Sequence, residues 1–151
     1  MVHEFKFMIG FSKWMNWEEK DNFEDRKCPG IYMISITDKN LHGLEVDYKD
    51  VVYIGRTNSM NGLRGRWKQF EDTINGKDRH SGGKTVLNKL GPYCDWNKKL
   101  FVCAKVVSCE VKKDKRTPAD LRRMGKIAYL EYKALAEFKE ITGNEPEYNK
   151  Q

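Results

Sequence analysis

The chain has 151 residues and a mass of 17.7 kDa, which suits one compact domain with its own core and a single active site. Hydrophobic residues make up 39% of the sequence and charged residues 33%, a balance that excludes a disordered chain. The net charge of +6 is compatible with a polyanionic partner, although many basic proteins bind no nucleic acid. No apolar run is long enough to span a bilayer and no secretory signal begins the sequence, so we expect a cytoplasmic location and no membrane partner.

The first 28 residues combine aromatic and charged side chains. This mixture predicts one or two short helices that lay an aromatic face on the rest of the protein. Accordingly, we interpret residues 1–28 as an extension packed on the domain and residues 29–151 as the domain itself.

Two strands are predicted next. The run GIYMISI, which begins at Gly30, is rich in β-branched and aromatic residues, and DVVYIG follows after an irregular loop. A helix is predicted over residues 63–75, because apolar residues recur there at i, i+4, i+7 and i+11. Its predicted core-facing residues are Leu63, Trp67, Phe70 and Ile74.

The second half of the chain alternates again between helix and strand. The segment INGKDRHSGGK is expected to interrupt the first helix, and TVLNKL predicts a short second helix that ends at Gly91. LFVCAKVVSCEV predicts a third, fully buried strand. A long helix should run from Thr117-Pro118 to Thr142-Gly143. The fold class is therefore α/β of the α+β type, with a small three-stranded antiparallel sheet flanked by helices.

One carboxylate in the last helix falls where apolar residues are expected. Glu131 lies within a predicted apolar stripe, and a buried ionised carboxylate without a partner costs several kcal/mol. A divalent cation or an arginine would compensate the charge; alternatively, Glu131 lies at the edge of the stripe and reaches water. The predicted stripe consists of Leu121, Met124, Ala128, Leu135 and Phe138.

Two arginines flank the apolar face of the helix over residues 63–75. Arg66 lies on one flank, from which its guanidinium could share a cleft with Glu131, and Arg64 lies on the other. A guanidinium is charged at every working pH and matches phosphate oxygens in bidentate fashion. Solvated surface arginines remain the alternative for both positions.

The tripeptides Gly30-Ile31-Tyr32 and Tyr53-Ile54-Gly55 resemble the signature of the GIY-YIG nuclease superfamily. The resemblance continues through Leu63-Arg64-Gly65-Arg66-Trp67, His80, Glu131 and Tyr148-Asn149, and so covers residues 29–149. It implies a metal-dependent endonuclease that hydrolyses phosphodiester bonds in DNA, with RNA not excluded. A non-catalytic nucleic-acid-binding module with the same fold is the alternative.

The resemblance also implies roles for individual residues. Glu131 would be the ligand of one divalent metal ion, most often Mg²⁺, and Arg66 would hold the scissile phosphate. Tyr32 would help to deprotonate the attacking water, with Tyr53 hydrogen-bonding beside it. His80 would assist proton transfer or orient the site, and is a rival of Tyr32 for the water proton. By the same resemblance, Asn149 would steady the site.

Three points stay open in the sequence. The segment before Arg66 is longer than in many members of the superfamily, which leaves Arg64 as an alternative phosphate ligand. Arg56, directly after Gly55, either contacts substrate phosphate or is a solvated turn residue. We expect no separate DNA-reading domain after Asn149, so specificity would come from loops, from residues 1–28 or from the partner in a homodimer.

Overall fold

A computed structural model describes residues 9–150 and contains an antiparallel sheet of four strands with helices on both faces. The strands are β1 (Met15–Asn16), β2 (Gly30–Thr37), β3 (Tyr53–Thr57) and β4 (Lys99–Val106), in the spatial order β1-β4-β2-β3. The α/β class and the antiparallel pairing are confirmed, but the predicted count of three strands is wrong by one.

The additional strand comes from the segment that was predicted to be helical. Met15 and Asn16 pair with Val102 and Phe101 of β4, and a 3-10 helix follows at Trp17–Asn22. The side chains of Trp14 and Trp17 are fully buried. In place of one or two α-helices, residues 9–28 therefore supply a sheet edge and part of the core, and the part of the prediction over residues 1–8 lies outside the described residues.

Three α-helices complete the fold: α1 (Gly62–Ile74), α2 (Ser81–Leu90) and α3 (Pro118–Thr142). The prediction for α1 is confirmed, and its four predicted apolar residues are all fully buried. α2 begins four residues before the predicted TVLNKL, and β4 ends at Val106, five residues before the predicted strand does. α3 has the predicted bounds, because Thr117 caps its first turn and Gly143 ends it with a φ of 83°.

The sheet separates two apolar clusters because successive side chains of a strand point to opposite faces. Ile31, Met33 and Ile54 point toward α3, whereas Tyr32 and Tyr53 point toward α1 and α2. The α3 face of the core consists mainly of Ile127, Leu130, Ala134 and Phe138. Within residues 9–150, no helix has both the length and the apolar composition needed to cross a bilayer.

The predicted stripe on α3 is wrong in its position. Leu121 is 49% exposed, and no side chain from Leu121 to Lys126 is buried. Packing is centred instead on Ile127 and Ala134, one residue away from the predicted line through Ala128 and Leu135. Glu131 consequently lies on the flank of the packed face, and its side chain is 18% exposed.

Candidate active site around strand β3

Two tyrosines and one histidine form a buried polar cluster on the α1 and α2 side of the sheet. The ring centroids of Tyr32 and Tyr53 lie 6.1 Å apart, and those of Tyr53 and His80 lie 5.4 Å apart. Tyr32 is completely buried, and Tyr53 and His80 are 8% and 2% exposed. The structure thus brings three of the predicted site residues together.

Glycine at position 55 makes room for this cluster. Gly55 is the register partner of Tyr32 across β2 and β3. A Cβ atom at this position would lie 2.7 Å from the Tyr32 hydroxyl oxygen and 2.8 Å from Cε2 of Tyr53, closer than real Cβ atoms approach other groups. The glycine of the YIG tripeptide is therefore required by the packing of the two tyrosine rings.

His80 is the N-cap residue of helix α2, and its ring carries its proton on Nε2. The backbone N–H of Gly83 donates to Nδ1 at 3.0 Å, so Nδ1 is unprotonated. Burial first, and the charge of Arg66 second, lower the pKa of His80 to about 3, so the ring is neutral at physiological pH. The remaining proton lies on Nε2, which donates to the Tyr32 hydroxyl oxygen at 2.8 Å.

This arrangement holds the hydroxyl of Tyr32 in place as a hydrogen-bond acceptor. Burial raises the pKa of Tyr32 well above its usual value, and the pKa of Tyr53 is also raised, mainly by burial. The positive charge of Arg66 acts on both tyrosines in the opposite direction. Both phenols are therefore neutral in the isolated protein, and added positive charge would favour their ionisation.

The two arginines of α1 line different clefts. Arg66 is half-buried, its Nη1 donates to Oε1 of Gln69 at 2.7 Å, and it shares a cleft of about 260 Å³ with Arg56. Arg64 is exposed and lies on the other flank of α1, in a cleft of about 620 Å³. The other residues that line this second cleft are Lys20, Asp21, Lys27, Met60, Asn61, Gly65, Lys68 and Glu71.

Glu131 is compensated by an arginine that the sequence did not identify as its partner. Nη1 of Arg56 donates to Oε1 of Glu131 at 3.0 Å. Burial nevertheless raises the pKa of Glu131, and the charges of Arg56 and Arg66 offset that effect only in part. Because Ile54 points toward α3, Arg56 two residues later points the same way and reaches Glu131.

Glu131, which lies on the α3 side of the sheet, is the predicted metal ligand. Within residues 9–150, no group of three or more His, Cys, Asp or Glu side chains is arranged to hold a metal. Mg²⁺ often takes only one or two protein carboxylates and fills its other positions with water and substrate phosphate. An incompletely compensated, half-buried carboxylate beside two arginines fits that mode of binding.

Asn149 attaches the end of the chain to strand β3. Its Oδ1 accepts from the Ile54 N–H at 2.9 Å, and its Nδ2 donates to the Ile54 carbonyl at 2.8 Å. The N–H of Tyr148 donates to the carbonyl of Val52. Asn149 therefore pairs with the backbone of the residue between Tyr53 and Gly55, as a neighbouring strand would.

Sequence reasoning missed the contribution of Gly82 and Gly83 to this site. A Cβ atom at Gly82 would overlap the ring of Tyr53, and Gly83 supplies the N–H that fixes the His80 tautomer. The pair was interpreted as a helix breaker because glycine is unfavourable inside a helix. The N-cap residue is His80 and not one of the preferred Ser, Thr, Asp or Asn, so no standard capping signal marked this helix start.

Comparisons of the chain with protein-family models, curated proteins and solved structures found no match.

Proposed function

We propose that the protein is a metal-dependent endonuclease of the GIY-YIG type that hydrolyses phosphodiester bonds in DNA. The observation that carries the proposal is the gathering of Tyr32, Tyr53 and His80 on one side of β3, where the charges of Arg66 and, from the α3 side, of Glu131 act on both tyrosines. These residue types are the ones that the resemblance to the superfamily assigns to catalysis. A buried group of titratable side chains with shifted pKa values beside a cleft is typical of an active site.

Phosphodiester hydrolysis requires charge relief on the phosphate, an activated water and help for the leaving alkoxide. Arg66, which lines the cleft, would bind the scissile phosphate through its guanidinium N–H groups. Glu131 would hold one Mg²⁺, which would supply Lewis-acid chemistry when bound. Arg56, whose side chain is 41% exposed, is free to turn from Glu131 toward a neighbouring phosphate.

One of the two tyrosines would receive the proton of the attacking water, which requires that its hydroxyl has first been ionised and has lost its own proton to solvent. The charge of Arg66 favours the ionised forms of Tyr32 and Tyr53, and the charge of a bound Mg²⁺ would act in the same direction. His80 would act through Tyr32, because its Nδ1 lone pair is engaged by Gly83 and its Nε2 proton points at the phenol. His80 is thus a positioning residue in this scheme and takes no proton from water itself.

The test is cleavage of supercoiled plasmid, linear duplex DNA and RNA in the presence of Mg²⁺ or EDTA. We expect nicking or cutting of DNA that depends on Mg²⁺ and stops with EDTA. Glu131→Gln protein, purified in parallel, controls for contaminating nuclease. Binding of DNA without cleavage of any substrate would overturn the proposal and leave a non-catalytic module with this fold.

A further inference from the structure

The outward face of helix α3, the helix that contains Glu131, bears two exposed tyrosines. Tyr129 is 62% exposed and Tyr132 is 68% exposed, whereas the other tyrosines of residues 9–150 are less exposed than this. Exposed aromatic rings lose apolar contact with the core without an evident gain for folding. Such a pair on a single helix face indicates a contact surface.

Cations accompany the two tyrosines on this face. Arg122, Lys126, Tyr129 and Tyr132 are all exposed, and their spacing places them on neighbouring positions of one side of α3. From Leu121 to Ala136, α3 has a single acidic residue, Glu131, which is paired with Arg56 on another side of the helix. The face therefore has two cations, which are followed along the helix by two aromatic rings.

Glu131 connects this face to the proposed site. Tyr132 lies about 100° around the axis of α3 from Glu131, at nearly the same height along the helix, and the i, i+3 spacing of Tyr129 and Tyr132 makes their rings neighbours. A nucleic-acid strand whose phosphate lies at Glu131 and Arg66 would thus have Tyr132 within reach of the next nucleotides.

We infer that the outward face of α3 binds an unpaired segment of nucleic acid that flanks the cleaved bond. Bases would stack on Tyr129 and Tyr132, and Arg122 and Lys126 would contact the phosphates. Single-stranded nucleic acid is recognised by this combination of aromatic platforms and cations, whereas duplex bases are stacked on each other and offer no free face. The inference rests on the proposed function, and assigns it a substrate class: DNA with an overhang, a flap or a single-stranded junction.

The test is fluorescence anisotropy with fluorescein-labelled oligonucleotides in EDTA, which separates binding from cleavage. The probes are a blunt duplex and the same duplex with a single-stranded overhang. We expect tighter binding to the overhang, and about tenfold weaker overhang binding in Tyr132→Ala and in Tyr129→Ala, because base–aromatic stacking has that order of effect. Binding of the blunt duplex should not change in either variant.

Three further variants sharpen the result. Tyr129→Phe and Tyr132→Phe keep the ring and should keep the affinity for the overhang, whereas Leu44→Ala, at a position that is 52% exposed on another part of the surface, should have no effect. Equal affinity of the parental protein for both probes would overturn the inference. Unchanged overhang binding in both alanine variants would also overturn it. A third contradicting result would be sedimentation data in which the parental protein is a dimer and both alanine variants are monomers. If overhang binding follows the prediction but no substrate is cleaved, the inference stands and the proposed nuclease activity fails.

Discussion

The two faces of the sheet bury polar groups in different ways. On the α3 face the Tyr48 hydroxyl donates to Oε1 of Glu137 at 2.8 Å, and this pair is surrounded by apolar side chains. On the other face a chain of polar groups runs from Gly83 through His80 and Tyr32 to the neighbouring Tyr53. The first arrangement is closed within the core, whereas the second ends beside Arg66, which lines a cleft.

Under the proposed function, this difference separates residues that serve folding from residues that serve chemistry. Arg56 and Glu131, on the α3 side, belong to the second group because Arg56 also lines the cleft of Arg66. Tyr48 and Glu137 are hydrogen-bonded to each other, and burial raises the pKa of Glu137 as it raises that of Glu131, but neither Tyr48 nor Glu137 lines the cleft of Arg66. The second arrangement leads to a cleft and lies beside a carboxylate whose charge is incompletely compensated. Burying these polar groups has a desolvation cost that folding alone does not explain. Substitutions in the two groups should therefore change different quantities.

The largest effect is expected at Arg66. Arg66→Ala should lower the single-turnover cleavage rate at saturating enzyme by at least about a hundredfold, since a group that stabilises transition-state charge acts on the chemical step. Arg64→Ala is the matched control in the same helix, and should mainly weaken DNA binding because Arg64 opens into the other cleft. If Arg64→Ala has the larger loss in rate, the phosphate contact belongs to Arg64.

A substitution in the α3 core should have the opposite result. Ile127 is fully buried, so Ile127→Ala should reduce the free energy of unfolding by about 2–5 kcal/mol and leave the cleavage rate of the folded protein unchanged. Leu121→Ala, on the exposed part of the same helix, should change stability by less than about 0.5 kcal/mol. Urea denaturation measures both variants. A large rate loss in Ile127→Ala below its unfolding transition would contradict the separation of the two faces.

The smallest expected effect is a change in pH dependence at His80. Its pKa in the folded protein, about 3, lies below the unfolded value of about 6.5, so the unfolded state binds more protons between these values. Stability should therefore fall as the pH falls from about 6.5 toward 3, and His80→Asn should reduce this slope while it keeps a preferred N-cap residue. Thermal unfolding between pH 4 and pH 8 checks this.

The cleavage profile gives an independent check on His80. Because the His80 ring is neutral throughout the physiological range, its titration should not affect the cleavage rate. The pH profiles of the parental protein and of His80→Asn should therefore have the same shape near pH 6.5. A step near pH 6.5 that His80→Asn removes would make His80 the group that takes the water proton, in place of the tyrosines.

Local patterns were sufficient to predict much of this fold. The apolar spacing of Leu63, Trp67 and Phe70 predicted the buried face of α1, and Thr117-Pro118 and Gly143 predicted the ends of α3. These signals depend on residues close in sequence, so they can be recognised without knowledge of tertiary structure.

Long-range packing accounts for what the sequence did not predict. β1 has two residues and exists only because β4 offers it a partner, and α2 tolerates glycines in its first turn because Tyr53 and Thr73 pack against them. The partner of Glu131 depends on strand β3 directing Arg56 toward α3, which no spacing within α3 reveals. For the candidate site, the sequence therefore predicted the residue types, but it did not predict which of these side chains contact each other.

The most direct test of the account is a joint measurement of cleavage and stability in Glu131→Gln. We expect that cleavage is abolished at pH 7 while stability holds or rises, because burial raises the pKa of Glu131 and glutamine has no charge to desolvate. The folded pKa of Glu131 lies above its unfolded value, so this gain should disappear as the pH falls through the folded pKa and the parental carboxyl becomes protonated. An unfolded variant, or one that cleaves at the parental rate, would contradict the assignment of Glu131 to the chemistry.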